Sequence, residues 1–379
     1  MPASESPSRA LAYAEKPPCA LRIFHDKYII LGTYDLDKPS GLRTGSVEVR
    51  DCETRLLEQY EAYGAILDIK LSPFDDTLIA SAHSTGNIQL WKVCVDDNDV
   101  FLRLDELVNL QIFNPNVLIT SLHFSPSNPG CLVVTATTGE TRAVDIENDS
   151  TTFSASRVAN HYEKVESHQI DVQGQSVSIV NSPSRPFGHE HGLECWTAEF
   201  GNLSPFQDVV FTGGDDATIA AHDLRSGDNI WANSRTHEAG VVAIKTSTPT
   251  FRNNKPTSIV TGSYDDHIRT LDLRMCGDSI YPGNNIPPAK STSLNLGGGV
   301  WRFVESPENS DSNMLNKLMV CCMYDGAKIV TVGDDDEFSS IGYIKKNHES
   351  MCYGGDWSPS MIATCSFYDK VVQVWDETS

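Results

Sequence analysis

Residues 66–93 read ILDIKLSPFDDTLIASAHSTGNIQLWKV. A β-rich run ends near Ser-Pro, a second β-rich run follows, and a tight Ser-Thr-Gly turn leads into a third run. Short apolar runs bounded by turn residues predict β-strands rather than helices. The same order of features returns at residues 119–146, 195–225, 241–274, 300–332 and 353–376, and in a degenerate form at 21–52.

These seven units predict an all-β fold, because helical periodicity is almost absent between them. A repeat of about 40 to 50 residues with four strands per unit is typical of a WD40 β-propeller, here with seven blades. The units are divergent. The repeat's tryptophan is kept at Trp91 and Trp375, whereas Val144, His222 and Leu271 stand in its place elsewhere.

Only four residues follow Trp375, so the last unit would leave a sheet edge open unless another segment covers it. We therefore expect a strand from the N-terminal region, around Leu11 to Leu21, to close the ring as the outer strand of the last blade. The predicted organisation is an N-terminal segment, 1–18, that is partly disordered or supplies this strand, and a single propeller, 19–379. Residues 147–188 are predicted to form a Ser- and Asn-rich loop insertion.

The composition narrows the function. With 51 acidic against 29 basic residues, the formal charge is −22, which disfavours a phosphate backbone and hence nucleic acid. Solubility explains this charge most simply, and a preference for cationic ligands is the alternative. The ten Cys residues have no CxxC spacing, and no secretory signal or membrane-length apolar segment is visible. These features predict an intracellular, cytoplasmic protein without disulfides, zinc sites or membrane insertion.

In an antiparallel four-stranded blade, the loop entering the first strand and the turn after the second strand lie on one face. In the second half of the chain these loops are rich in aromatic, acidic and His residues. Asp216, Asp265, Asp369 and His237 occupy positions where the repeat places structural residues, and Trp357 is most simply a core residue. The repeat does not explain Glu194, Asp215, Tyr264, His267, Trp301, Arg302, Tyr353 and Tyr368.

Aromatic faces next to carboxylates suit a cation, especially a quaternary ammonium. The three glycines before Val300 allow a close backbone approach or a sharp turn. No GxSxG, HExxH or Walker sequence is present. His189 and His191 have HxH spacing, but at the entry to a strand rather than within one, so we predict no metal site and no cofactor.

The segments LECWTAEF, VFTGGDDATIAAHDLR, TGSYDDHIRTLDLR, GGGVWRF, YGGDWS and IATCSFYDKVVQVW together resemble one family of WD-repeat proteins. It is the diphthine methyl ester esterase (diphthine methylesterase) family of diphthamide biosynthesis. The resemblance covers residues 190–376 well and is a generic propeller likeness before them. It implies hydrolysis of the methyl ester of a trimethylated diphthine on translation elongation factor 2, yielding methanol and a free carboxylate.

Hydrolysis of an ester by water needs a base and an oxyanion stabiliser. By position, Glu194 or His267 is the expected base. Arg302, or the N–H groups of Gly298 and Gly299, is the expected stabiliser. The ammonium cage would be Trp301, Tyr264, Tyr353 and Tyr368, with Asp215 as a further substrate-binding residue.

Two alternatives remain open at this point. A covalent nucleophile, Ser366 or Cys352, has no paired base in the sequence. The protein is alternatively a non-enzymatic scaffold that binds elongation factor 2 and the diphthine methyltransferase, since most WD propellers only bind partners.

Overall fold

The computed structural model describes residues 4–146, 154–162, 167–172, 175–181, 184–274, 283–307 and 316–377. The strands among them form seven sheets, largely antiparallel, which are the blades of a β-propeller. The inner strands of each blade come from one sequence unit, as the repeat predicted, and segments from elsewhere in the chain add outer strands to some blades. We number the blades 1 to 7 in chain order.

In the first half of the ring, every blade begins with the strand that lies nearest the central channel. Blade 1 has strands Pro18–Phe24, Tyr28–Thr33, Asp35–Asp37, Leu42–Asp51 and Leu56–Ala62. Blade 2 has Ile66–Leu71, Leu78–His83, Asn87–Val95, Phe101–Gln111, His168–Val172 and Gln175–Asn181. Blade 3 has Ile119–Phe124, Cys131–Ala136, Thr141–Asp145 and Ser184–Pro186.

The second half of the ring repeats this arrangement. Blade 4 has Cys195–Phe200, Val209–Gly214, Ile219–Asp223, Asn229–Asn233 and Gly283–Asn284. Blade 5 has Val241–Thr246, Ser258–Ser263, His267–Asp272 and Lys290–Asn295. Blade 6 has Arg302–Glu305, Asn316–Cys321, Ala327–Val332, Phe338–Ile344 and Ser4–Glu5. Blade 7 has Cys352–Ser358, Met361–Ser366, Val371–Trp375 and Ser8–Tyr13.

An N-terminal strand closes the ring, as predicted. Ser8–Tyr13 runs antiparallel to Val371–Trp375, with Ser8 opposite Trp375 and Tyr13 opposite Val371. The expected range, Leu11 to Leu21, was placed too late in the chain, because Pro18–Phe24 is already the first strand of blade 1. The chain can end just after Trp375 because an earlier segment covers that edge.

Removing residues 1–13 is expected to destabilise blade 7 selectively. Five cross-strand residue pairs join this segment to Val371–Trp375, and such pairs contribute about 0.2–1 kcal/mol each. The free energy of unfolding should therefore fall by about 1–5 kcal/mol, and the amides of 371–375 should exchange hydrogen faster. Removing residues 1–7 instead should leave exchange at 371–375 nearly unchanged, and equal exchange in both truncations would contradict this account.

The hydrophobic core lies between neighbouring blades. Seven clusters of buried side chains fill the seven interfaces, including the one between blade 7 and blade 1. Trp375, for example, packs with the blade 6 residues Ile329 and Met319. Because each sheet is covered on both faces by its neighbours, inner strands such as Leu78–His83 are buried along their whole length.

Where a surface loop was expected at 147–188, the described part contains regular structure. A helix spans Ala155–Tyr162, and the side chains of Ala155, Val158 and Tyr162 join the core between blades 2 and 3. The strand Gln175–Asn181 pairs with the outer edge of blade 2, and Ser184–Pro186 is the fourth strand of blade 3. The insertion thus enlarges two blades.

The repeat's structural residues hold loops to turns, as their positions predicted. Asp216 Oδ1 lies 3.0 Å from Nδ1 of His191. Asp265 accepts hydrogen bonds from Arg269 and from the backbone N–H of Glu238. Asp369 accepts hydrogen bonds from the backbone N–H groups of residues 349 and 350. His237 pairs through Nε2 with the hydroxyl of Thr261 on the neighbouring strand.

The nine cysteines within the described residues are free thiols. No helix in the described part of the chain is both long and apolar enough to cross a membrane.

Candidate functional site

Four aromatic rings meet at one mouth of the channel, and Trp301 is their centre. Its ring centroid lies 4.7 Å from that of Tyr353, 5.7 Å from that of Trp196 and 5.8 Å from that of Tyr264. All four side chains are half-buried. The four residues Trp196, Tyr264, Trp301 and Tyr353 are called the aromatic cluster below.

The cluster forms because each of its rings sits at or next to the start of a first strand, or in the turn after a second strand. These positions from blades 4, 5, 6 and 7 share one face of the ring. Tyr368, predicted as a cage residue, does not touch Trp301. Its ring contacts Phe367, which in turn contacts Tyr353, and the Tyr368 side chain is 67% exposed. Tyr368 therefore lies at the outer edge of the site.

Two carboxylates accompany the cluster. Asp215 Oδ1 accepts a hydrogen bond of 3.1 Å from Nε1 of Trp196, and the backbone N–H of Asp215 donates to the carbonyl of Glu194. Burial raises the pKa of the Tyr264 phenol, and the nearby Tyr353, Asp215 and Glu194 raise it further. The mouth thus combines neutral aromatic faces with negative charge, the combination predicted to attract an organic cation.

Arg302 is not free at this mouth. Its Nη1 donates to Asp68 Oδ1 at 2.7 Å, and its Nε donates to the carbonyl of Tyr353 at 3.2 Å. The Arg302 side chain is only 13% exposed and lines the cavity beneath the aromatic cluster. The charge of Arg302 is thus already paired with Asp68, and its expected role as an oxyanion stabiliser stays a prediction.

The recorded partners of His267 lie outside the aromatic cluster. Its Nδ1 is 2.6 Å from the carbonyl oxygen of Asp265, and its backbone pairs with Asn295 on the outer strand of blade 5. Among the described residues, no ring contact or hydrogen bond joins His267 to the aromatic cluster. Of the two expected bases, only Glu194 has a charge that acts on the pKa of Tyr264 in the cluster, and the choice between them stays a prediction.

The glycines before Val300 are required for close packing. A Cβ on Gly298 would clash with the carbonyl oxygen of Cys322, and one on Gly299 would lie 2.5 Å from Sδ of Met323. Within the described part of the chain, the N–H groups of Gly298 and Gly299 have no hydrogen-bond partner. Both glycines are buried, and Gly299 lies against the ring of Tyr264.

The alternative nucleophiles are both enclosed. Cys352 is fully buried, and its pKa is raised well above the usual thiol value by Cys321 and by burial, so it is no reactive thiolate. Ser366 is also fully buried, and its hydroxyl pairs with His348 as part of the repeat's structural network. Trp357 packs against the core between blades 6 and 7, in agreement with its predicted structural role.

His191 is a structural residue of blade 4 rather than a metal ligand, since Asp216 and Thr212 occupy its two nitrogens. The described residues contain no group of three or more His, Cys, Asp or Glu side chains arranged to hold a metal.

Sequence reasoning missed Trp196 and the cavity residues below it. Trp196 lies two positions after Glu194 at the start of a strand, so its position at the mouth was a usable signal. The cavity beneath the cluster is lined by charged residues from the first strands of blades 1 to 6, namely Arg22, Asp68, Lys70, His123, Glu199, Lys245, Arg302 and Glu305. Only Arg302 among them had been singled out.

Replacing Gly240 with Ala is expected to weaken the binding of tetramethylammonium about three- to thirtyfold. The new Cβ would lie 2.8 Å from Asp215 Oδ1 and 3.0 Å from Cδ2 of Tyr264, so it would push this carboxylate and ring apart. Isothermal titration calorimetry measures the effect. Gly192→Ala at the same mouth is the control, because its Cβ would meet nothing closer than 3.7 Å. Equal affinities in the two variants would contradict this geometry.

No protein-family profile matches the chain. Several curated relatives carry the name diphthine methyltransferase. The Saccharomyces cerevisiae protein is 57% identical over 95% of both chains, and the Schizosaccharomyces pombe protein is 32% identical over 94% of this chain and 92% of its own. The human protein is 26% identical over 86% of this chain and 68% of its own.

Among solved structures, a chain of a crystal structure of the mitotic checkpoint complex matches this fold. The TM-score is 0.63 with 12% sequence identity, over 100% of this chain and 97% of that chain. At this identity the likeness supports the propeller fold alone.

Proposed function

The chain belongs to the diphthine methyltransferase family of WD-repeat proteins, and we propose that it hydrolyses the methyl ester of methylated diphthine on translation elongation factor 2. Family membership gives it a role as an enzyme of diphthamide biosynthesis. The proposal adds three finer points: the bond that is cleaved is the ester, the partner is elongation factor 2, and the location is the cytoplasm.

The observation that carries the proposal is the aromatic cluster with its two carboxylates. The substrate has a trimethylammonium group, which cannot donate a conventional hydrogen bond and is best held by aromatic faces. Trp301 lies within 6 Å of three other rings, and Asp215 and Glu194 supply negative charge beside them. A surface that only binds an uncharged region of a partner protein does not require aromatic rings and carboxylates together at one mouth of the channel.

Glu194 is the proposed general base. Water adds to the ester carbonyl carbon while Glu194 takes one of its protons, and a negative charge develops on the carbonyl oxygen. The C–O bond to the methoxy group then breaks, and that oxygen takes the proton back from Glu194 and leaves as methanol. The free N–H groups of Gly298 and Gly299 are the proposed donors to the developing oxyanion.

Methyl transfer is the second candidate, since the relatives' name states it. The two reactions move the methyl group in opposite directions. Hydrolysis removes one from the modified side chain and needs only water, whereas transfer adds one and consumes a methyl donor.

Intact mass spectrometry of elongation factor 2 carrying the methylated diphthine intermediate separates the candidates. Incubation with this protein alone should lower the substrate's mass by one methylene equivalent and release methanol. A mass gain that requires S-adenosylmethionine would establish transfer instead. Binding with no change of mass under either condition would leave only the scaffold role.

A further inference from the structure

The cavity beneath the aromatic cluster is lined by more cationic than acidic side chains, although the protein as a whole carries −22. Its lining includes four cationic side chains and three carboxylates, together with His123. Burial lowers the pKa of His123, so this side chain adds little charge. Burial also lowers the pKa of Lys70, to about 7, so the cavity is close to charge balance within a protein that is acidic as a whole.

Three of the four cations in the cavity have a carboxylate partner. Arg302 and Lys70 both bind Asp68, at 2.7 and 2.6 Å. Lys245 binds Glu305 at 2.9 Å. These pairs account for the cavity's cations except Arg22.

Arg22 has no carboxylate within 4.0 Å among the described residues. Its Nη1 donates to the carbonyls of Leu21 and Gly355, and within the described ranges Nε and Nη2 have no partner. Burial lowers the pKa of Arg22, the more distant Asp356 opposes that shift, and Arg302 adds to it. A half-buried guanidinium with unused donors in a cavity is a site for an anion.

We propose that Arg22 forms a carboxylate subsite directly below the aromatic cluster, so that the protein binds α-trimethylammonio carboxylates as zwitterions. The ammonium half of this inference rests on the proposed function. Diphthine carries its quaternary ammonium and its carboxyl group on one carbon, so the two subsites must adjoin. Trp196 and Trp301 line the same cavity as Arg22. The free carboxylate that ester hydrolysis releases would then be held more tightly than the ester.

Calorimetric titration of the purified full-length protein with three small probes tests the subsite. Glycine betaine, which has both groups on one carbon, should bind at least about tenfold more tightly than tetramethylammonium. Arg22→Gln should abolish this preference and leave tetramethylammonium binding intact. Arg55→Gln, at a side chain 75% exposed, should change neither.

Competition with acetate is the second measurement. Acetate should compete with glycine betaine for the wild-type protein but not with tetramethylammonium. Betaine binding no tighter than tetramethylammonium, or a preference that survives Arg22→Gln, would overturn the subsite while leaving the ammonium site standing. Acetate binding that depends on Arg22, with no tetramethylammonium binding, would support the subsite and remove the aromatic cage from the proposed function.

Discussion

Replacing Glu194 with Gln is expected to lower kcat for ester hydrolysis by about 10²–10⁴-fold, the usual contribution of a positioned general base. The amide has nearly the same shape as the carboxylate but cannot accept a proton from water. Because the backbone carbonyl of Glu194 binds the N–H of Asp215, and this bond does not involve the side chain, the loop should keep its conformation. The rate is measured by methanol release from modified elongation factor 2.

Glu190→Gln is the matched control, since Glu190 is an exposed acid in the same loop and its loss changes the net charge equally. His267→Ala tests the other residue that the sequence suggested, and it should retain most activity because its ring binds Asp265. A Glu194→Gln enzyme with the wild-type kcat would remove Glu194 from the mechanism. Asp215→Asn would then be the variant to measure.

The propeller could be predicted because it follows from a local sequence pattern that is repeated along the chain. Seven copies of one strand order leave few alternatives to a propeller. The closing strand was assigned to the correct end of the chain but placed too late. Its own pattern held the answer, since SRALAY alternates between more and less exposed residues as an outer strand does, whereas PCALRIF is buried almost throughout, as an inner strand is.

The site was predictable to the extent that position in the repeat determines position in space. Tyr264, Trp301 and Tyr353 came together because equivalent positions of successive blades share one mouth. The ion pair of Arg302 could not be predicted, because its partner, Asp68, lies 234 residues away in sequence. No local pattern indicates which charge on one blade will meet which charge across the channel.

That same pair predicts the largest stability effect we expect in the molecule. Asp68→Ala should lower the free energy of unfolding by about 3–5 kcal/mol, because it leaves buried cations without their counter-charge. The Asp68 side chain is 1% exposed and accepts hydrogen bonds from Lys70, Arg302 and the N–H groups of Ile69 and Leu122. Urea denaturation gives the free energy of unfolding.

Asp105→Ala provides the comparison, because its ion pair with Arg103 is exposed and such pairs contribute about 0–1 kcal/mol. The double variant Asp68→Leu with Arg302→Met should be more stable than the sum of its single changes implies, since it removes both charges together. If Asp68→Ala lowered the free energy of unfolding by less than about 1 kcal/mol, water would have to reach and solvate these cations. The cavity would then not be enclosed.

The same contacts predict how acid acts on the protein. Burial alone would raise the pKa of Asp68, but Lys70, Arg302 and Arg22 outweigh it and hold that pKa well below the usual range. A carboxyl whose pKa is lower in the folded than in the unfolded state contributes its full stability above the unfolded pKa, about 3.9, and loses it as the pH falls further. The free energy of unfolding of Asp68→Asn should therefore fall less steeply below about pH 5 than that of the wild type. Parallel curves would mean that Asp68 is protonated equally readily in both states, and the pairing across the channel would then contribute nothing to stability.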